Sequence, residues 1–233
     1  MSSAPRRWIV ETIVAVAAVL VAVSAVFVAV QANKIASRQT ELTERQLEPI
    51  ITAEHHYESR RGRADTEHIS VRNLGPPAQG VDADEITLLI VTRATREETV
   101  RRVLAVQRHY GSFRYSGKAT GLLVTLTGSE GNNARMTKLD RASADYGRRR
   151  REILLFDLRT FLRVGYSDQL GHAHTTYLEA RPIGGAVTVD PARGRRIFEL
   201  EDDRPFDAFG AGPHDLMNAF SAAKHAPERL GLL

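Results

Sequence analysis

Hydrophobic and polar positions divide the chain into stretches of different rhythm. From Ile13 to Val30, eighteen residues are apolar except for Ser24. A helix rising about 1.5 Å per residue needs roughly 17–25 residues to cross the hydrocarbon core of a bilayer, so this run is long enough to span. A secretory signal shares the basic start seen at Arg6 and Arg7, and a small-residue cleavage site is available at Val30-Gln31-Ala32. Its apolar region is usually only about 7–15 residues, and the length favours an anchor. The following "QANKIASRQTELTERQLEP" is rich in helix formers, free of glycine and stopped by Pro49, which disfavours helix at Glu48. The pattern predicts one continuous helix from about Trp8 to Leu47, with a basic tail at 1–7, a transmembrane part at 8–31 and a stalk, solvated or coiled-coil, at 32–48.

Past Pro49 the period shortens from helical to extended. "IITAEHHYE", "HISVRNLG", "EITLLIVT", "GLLVTLTG", "EILLFDL", "TFLRVGYSD" and "HAHTTYLEA" alternate or are β-branched, and glycine and proline turns separate them. Several short strands joined in this way predict a mainly antiparallel β-sandwich over 49–182. "TREETVRRVLAVQRH" fits two readings: a helix behind a capping box of Thr95 and Glu98, or a strand from Val103. The remainder, 183–233, is a strand or connector followed by an amphipathic helix in "PHDLMNAFSAAKHA", which starts after Gly212-Pro213 and carries Leu216, Ala219, Phe220 and Ala223 on one face. "EDDRPFDAFGAG" has the composition of a flexible connector.

Small residues add a second pattern to the first helix. Ala15, Ala18, Ala22, Ala25, Ala29, Ala32 and Ala36 follow one another at alternating spacings of three and four, which places them on one face. Such a stripe lets two helix backbones approach closely in lipid, and it is the expected packing face for self-association. An adjoining row through Ile35, Gln39, Leu42 and Gln46 carries the same period into water. Charges near the membrane ends, Arg6 and Arg7 on one side and Lys34, Arg38 and Arg45 on the other, leave orientation tied. The runs at Arg60 to Arg63 and Arg148 to Arg151 lean the large domain toward the cytoplasmic side.

Composition narrows the function classes. The 233 residues carry a formal charge of +4, and removing 1–31 takes Lys plus Arg from 32 to 30 and Asp plus Glu from 28 to 27, so the remaining part is only slightly basic. Nucleic-acid binding is not expected. Without cysteine there is no disulfide, thiolate metal site or cysteine nucleophile. No G-x-S-x-G elbow, H-E-x-x-H pair or phosphate-binding glycine loop occurs. His55-His56 and the arginine runs have the pattern of solvated faces, although the arginines also suit anionic lipid or an acidic partner.

The strongest candidate chemistry lies in "VGYSDQLGHAHTTYL". If Gln169, Leu170 and Gly171 form the loop, with Gly171 left-handed, Asp168 faces His172 and Tyr166 faces His174. Asp168, His172 and His174 then share a face. Two imidazoles and a carboxylate can hold zinc, whereas Leu162, Val164 and Leu178 on the same face favour a core edge closed by an Asp168–His172 hydrogen bond.

Two segments carry a resemblance. "VRNLGPPAQGVDADEITLLI" resembles the N-x-G-x-x-A-x-x-V strand and turn of small immunoglobulin-like domains in uncharacterised bacterial single-pass membrane proteins, through Asn73, Gly75, Ala78 and Val81. The hairpin is similar to the Y-x-D-x-x-G turn of the same proteins, through Tyr166, Asp168 and Gly171. The likeness covers about residues 50–180 and implies a fold but no reaction. The expected function is that of a membrane-anchored, non-enzymatic interaction or scaffold protein with no cofactor, whose partners are the bilayer, a second copy of itself and another protein. The alternative is a metal-binding sensor or hydrolase using Asp168, His172 and His174.

Overall fold

The computed structural model describes residues 4–60, 63–181, 185–202, 206–207 and 211–232, with side chains from Leu20 onward except at 45, 60, 63, 64, 201 and 202. The chain divides into two compact units, Met1–Glu48 and Pro49–Leu233. The first unit contains one unbroken helix, α1 (Ala4–Gln46), which starts four residues before the position the sequence suggests and ends one before it. It is long and apolar enough to cross a membrane, a test that a signal sequence near an N-terminus also passes, and from Leu20 onward none of its apolar stretch is buried. Ser24, the polar exception, donates its hydroxyl to the Leu20 carbonyl at 2.8 Å and so satisfies its own donor within the helix.

The second unit is built on two antiparallel sheets that form a β-sandwich. One sheet holds β1 (Ile51–Arg60), β2 (Arg63–Asn73), β5 (Tyr110–Tyr115) and β6 (Gly121–Gly128) in the order β1-β2-β6-β5. The other holds β3 (Gln79–Ala94), β4 (Thr99–Val106), β7 (Ile153–Ser167), β8 (Ala173–Arg181) and β9 (Gly185–Val189) in the order β4-β3-β7-β8-β9. The segment after Thr95 is a strand rather than a helix. Thr95 Oγ1 accepts the backbone N–H groups of Glu97 and Glu98 to close the β3–β4 turn, and Glu98 does not cap a helix. "EILLFDL" and "TFLRVGYSD" are one strand, β7, because no turn residue separates them.

Helices complete the cover. β6 leads into α2 (Asn132–Arg150), and α3 (Pro191–Phe198) and α4 (Pro213–Ala222) follow the sheets. Ile86 to Val91 of β3 are buried without a break, as expected of a central strand covered on both faces. Ile69, Val71, Leu126, Leu162 and Leu178 fill the space between the sheets. Leu89, Val91, Met136, Leu139, Leu216 and Phe220 form a second cluster with α2 and α4. Ile86, Leu88, Phe161, Tyr177, Ile197 and Phe198 form a third with α3. The C-terminal amphipathic helix thus docks on its own domain through Leu216 and Phe220. The supposed connector is held in part as well: Phe206 is buried and bridges β4 by donating its N–H to the Ala105 carbonyl at 2.6 Å. Its residues 203–205 and 208–210 lie outside the described residues.

Candidate functional site

The hairpin forms with the predicted register. Tyr166 pairs with His174 and Ser167 with Ala173, and Gly171 takes φ 84°. That left-handed angle suits glycine, which has no Cβ to clash. Asp168, 6% exposed, ties the turn together. Its Oδ1 accepts the N–H groups of Leu170 at 2.8 Å and His172 at 2.9 Å. Its Oδ2 meets His174 Nε2 at 2.9 Å and His172 Nδ1 at 3.3 Å. The shorter side-chain contact is with His174 and not with His172, because the His174 ring lies stacked on Tyr166, 5.4 Å between centroids and 17° between planes, and so aims at the carboxylate.

The structure therefore brings Asp168, His172 and His174 together, but as a hydrogen-bonded clip. Among the described residues no three His, Asp or Glu side chains are placed to hold a metal ion. The hydrogen bond from His174, followed by those from the His172 and Leu170 backbones, holds the Asp168 carboxyl at about 2, below its ordinary 3.8, against the opposing effect of burial. A depressed carboxyl contributes stability that is fully present above the unfolded value and is lost as pH falls through the folded one. The clip is thus expected to loosen between pH 3.8 and about 2. In His174→Ala the carboxyl resonance of Asp168, followed by carbon-13 NMR, is expected to titrate at a higher pH than in the wild type. An unchanged titration would show that the backbone donors alone set it.

A second cluster lies between the sheets. Alternation along β2 that points Ile69 and Val71 inward also points Glu67 inward, and alternation along β1 that buries Ile51 and Ala53 carries His55 to the same side. His55 is half-buried rather than solvated, while its neighbour His56 is exposed as expected. Glu67 Oε2 accepts the Tyr110 hydroxyl at 3.0 Å and lies 3.1 Å from His109 Nε2, in a pocket where Glu67 is 6% and His109 0% exposed. An ionised carboxylate can only accept, so His109 Nε2 carries the hydrogen. Burial drives the Glu67 carboxyl upward, but the His109 and Tyr110 hydrogen bonds and the His109 charge outweigh it and leave the group below its ordinary value. Burial and the Glu67 charge push the Tyr110 hydroxyl far up, and burial holds His55 down.

Asn132, the first residue of α2, locks this cluster to the helix. Its Oδ1 accepts the Glu67 N–H at 2.9 Å and its own neighbour's N–H, from Asn133, at 2.8 Å, and its Nδ2 donates to the His109 carbonyl at 3.0 Å. Gly128 leaves room for it, since a Cβ there would stand 2.3 Å from Asn132 Nδ2. The depression lined by Asp65, Glu130, Gly131, Ala134, Arg135 and Lys138, about 370 Å³, is open to solvent and holds neither histidine nor hydroxyl nucleophile.

On α1, Ala22, Ala25, Ala29, Ala32 and Ala36 are exposed, while the side chains of Ala15 and Ala18 lie outside the described residues. The motif residues that carried the family resemblance fix turns. Asn73 is buried at the end of β2; its Oδ1 accepts the N–H groups of Ile50 and Gly75, and its Nδ2 donates to the carbonyls of Pro76 and Ala119. Ala78 is buried against the inter-sheet core. No protein-family model matches the chain, and no curated protein matches it.

Proposed function

We propose that the protein is a membrane-anchored, non-enzymatic interaction module that presents an immunoglobulin-type sandwich at the bilayer surface. The observation that carries this reading is α1: an unbroken helix whose apolar stretch is exposed from Leu20 onward, with the one polar side chain of that stretch satisfied on its own backbone. A surface of that kind is stable in lipid and not in water. The sandwich type is supported by strand order. Named A to G along the chain, β1-β2-β6-β5 reads A-B-E-D and β4-β3-β7-β8 reads C′-C-F-G, the arrangement of immunoglobulin domains, with β9 added at the G edge. Support for a structural rather than a catalytic role of the two polar clusters comes from their hydrogen bonds, which each cluster makes within itself.

Self-association through the alanine face, continued by a coiled-coil stalk, belongs to the same proposal. The chain is expected to remain full-length in the membrane pellet after carbonate washing, and Ala25→Leu is expected to weaken its self-association signal in a membrane two-hybrid assay. A mature form beginning near Asn33 in the supernatant would overturn the anchor. Equal signals from Ala25→Leu and the wild type would remove self-association alone.

A further inference from the structure

We propose that the first six residues of β7, Ile153 to Leu158, are a strand-addition edge for an extended segment of a partner protein whose alternating apolar side chains end in carboxylates. This rests on the reading of the domain as an interaction module and says where on it the partner sits. β7 pairs with β3 along its whole length but with β8 only from Thr160 onward. Over about 20 Å, at roughly 3.3 Å per residue, its outer side presents alternate N–H and C=O groups that meet no partner among the described residues.

The other edges of the two sheets are blunted by devices that discourage strand addition. The outer side of β4 is taken by the C-terminal segment, through Val103 N–H to the His225 carbonyl at 3.1 Å and through the two bonds that join Phe206 to Ala105 and Gln107. β9 has only five residues before Asp190 caps α3 by accepting the Ala192 and Arg193 N–H groups. β5 is broken by a bulge between Tyr110 and Ser112 and carries exposed Arg114. β1 has a bulge at Glu58/Ser59 and lies against β8 and β9. The open part of β7 has none of these. Ile153 and Leu155 are 60% and 59% exposed on one face, Phe156 and Leu158 are half-buried on the other, and the lone carboxylate, Asp157, is neutralised by Arg159 at 2.9 Å.

Charge selects the occupant. The chain enters β7 from Arg148, Arg149, Arg150 and Arg151, all exposed. Arg148 pairs with Asp145 and Arg150 lies over the Tyr146 ring, but Arg149 and Arg151 meet no carboxylate among the described residues. Arg101, also exposed, stands in the same cross-strand row as Leu155, with Thr92 between them. An apolar strip with a basic end complements a strand that is apolar along its length and acidic where it reaches the arginines. A second copy of this chain would instead bring another run of arginines to the contact.

The test uses the full-length chain in lipid nanodiscs and a fluorescent peptide of alternating valine and threonine ending in three glutamates. Leu155→Lys changes an exposed side chain and leaves the core intact; it is expected to weaken peptide binding by about tenfold or more, as lysine does on natural sheet edges. Replacing the glutamates by lysines should weaken binding comparably. The double variant Arg149→Glu with Arg151→Glu should reverse that preference, an outcome that misfolding cannot produce. The proposal is overturned if Leu155→Lys binds as the wild type does, if the two peptides bind alike, or if the wild type forms a dimer that Leu155→Lys abolishes. Failure of the anchor reading is seen separately, as protein that leaves the membrane on carbonate washing.

Discussion

Glu67→Ala is expected to cost about 2–5 kcal/mol of unfolding free energy, at roughly 1–3 kcal/mol for each buried donor left without its acceptor. The carboxylate is 6% exposed, and its Oε2 serves both His109 Nε2 and the Tyr110 hydroxyl. Without it, two buried donors on the β5 side lose their acceptor, and His109 Nδ1 has no hydrogen-bond partner among the described residues to compensate. Glu67→Gln keeps the volume and one acceptor, so its cost should be nearer the roughly 1–3 kcal/mol of an unsatisfied buried group. Urea denaturation of the full chain in detergent, followed by tyrosine fluorescence, reads both. A loss below about 1 kcal/mol for Glu67→Ala would mean that water replaces the carboxylate without penalty and that the cluster does not tie β2 to β5.

Gly194→Ala is expected to destabilise by about 2 kcal/mol even though alanine is the better helix former by about 1 kcal/mol, because overpacking a closed core costs about 1–3 kcal/mol or more. α3 lies so close to β8 that a Cβ at Gly194 would stand 2.2 Å from Tyr177 Cγ and 2.5 Å from its Cδ1. The ring cannot yield: it is buried in the cluster that α3 covers, 5.9 Å from the Phe198 ring. A double-mutant cycle separates this clash from any local effect on the helix. In a Tyr177→Leu background the same substitution should cost much less, and an equal cost in both backgrounds would locate the damage in the helix itself.

Much of the architecture is legible in the sequence because it is written in short-range patterns. The apolar run of α1, the alternation of β2 and β6 and the glycine of the Asp168 hairpin each specify their local structure with residues only a few positions apart. α2 is not legible in this way. Its buried stripe is Asn132, Met136, Leu139, Ser143 and Gly147, of which only two are large and apolar. Asn132 is there to bond β2 and the turn before β5, and Gly147 to let the helix approach the Glu152 carbonyl, so neither adds to a hydrophobic period. β5 is hidden for a related reason, since Tyr110 is its only buried residue. The Glu67 cluster was within reach: continuing the inward parity of Ile69 and Ile51 leads to Glu67 and His55. What no pattern indicates is that His109, from the far side of the same sheet, completes it.

The polar lock that ties β2 to the start of β5 also decides which environments the domain tolerates. Where two sheets are clasped by a disulfide, their union depends on the oxidation state of the surroundings. Here the facing positions of the two sheets are apolar, and the buried polar link, a β2 carboxylate shared by an imidazole and a phenol, lies within one sheet, in a chain without cysteine. The sandwich is therefore indifferent to thiol reductants and oxidants on either side of a membrane. Its vulnerability is acid instead: Glu67 has a lowered carboxyl pKa, so its contribution is complete above the ordinary carboxylate range and disappears as protonation overtakes the folded value.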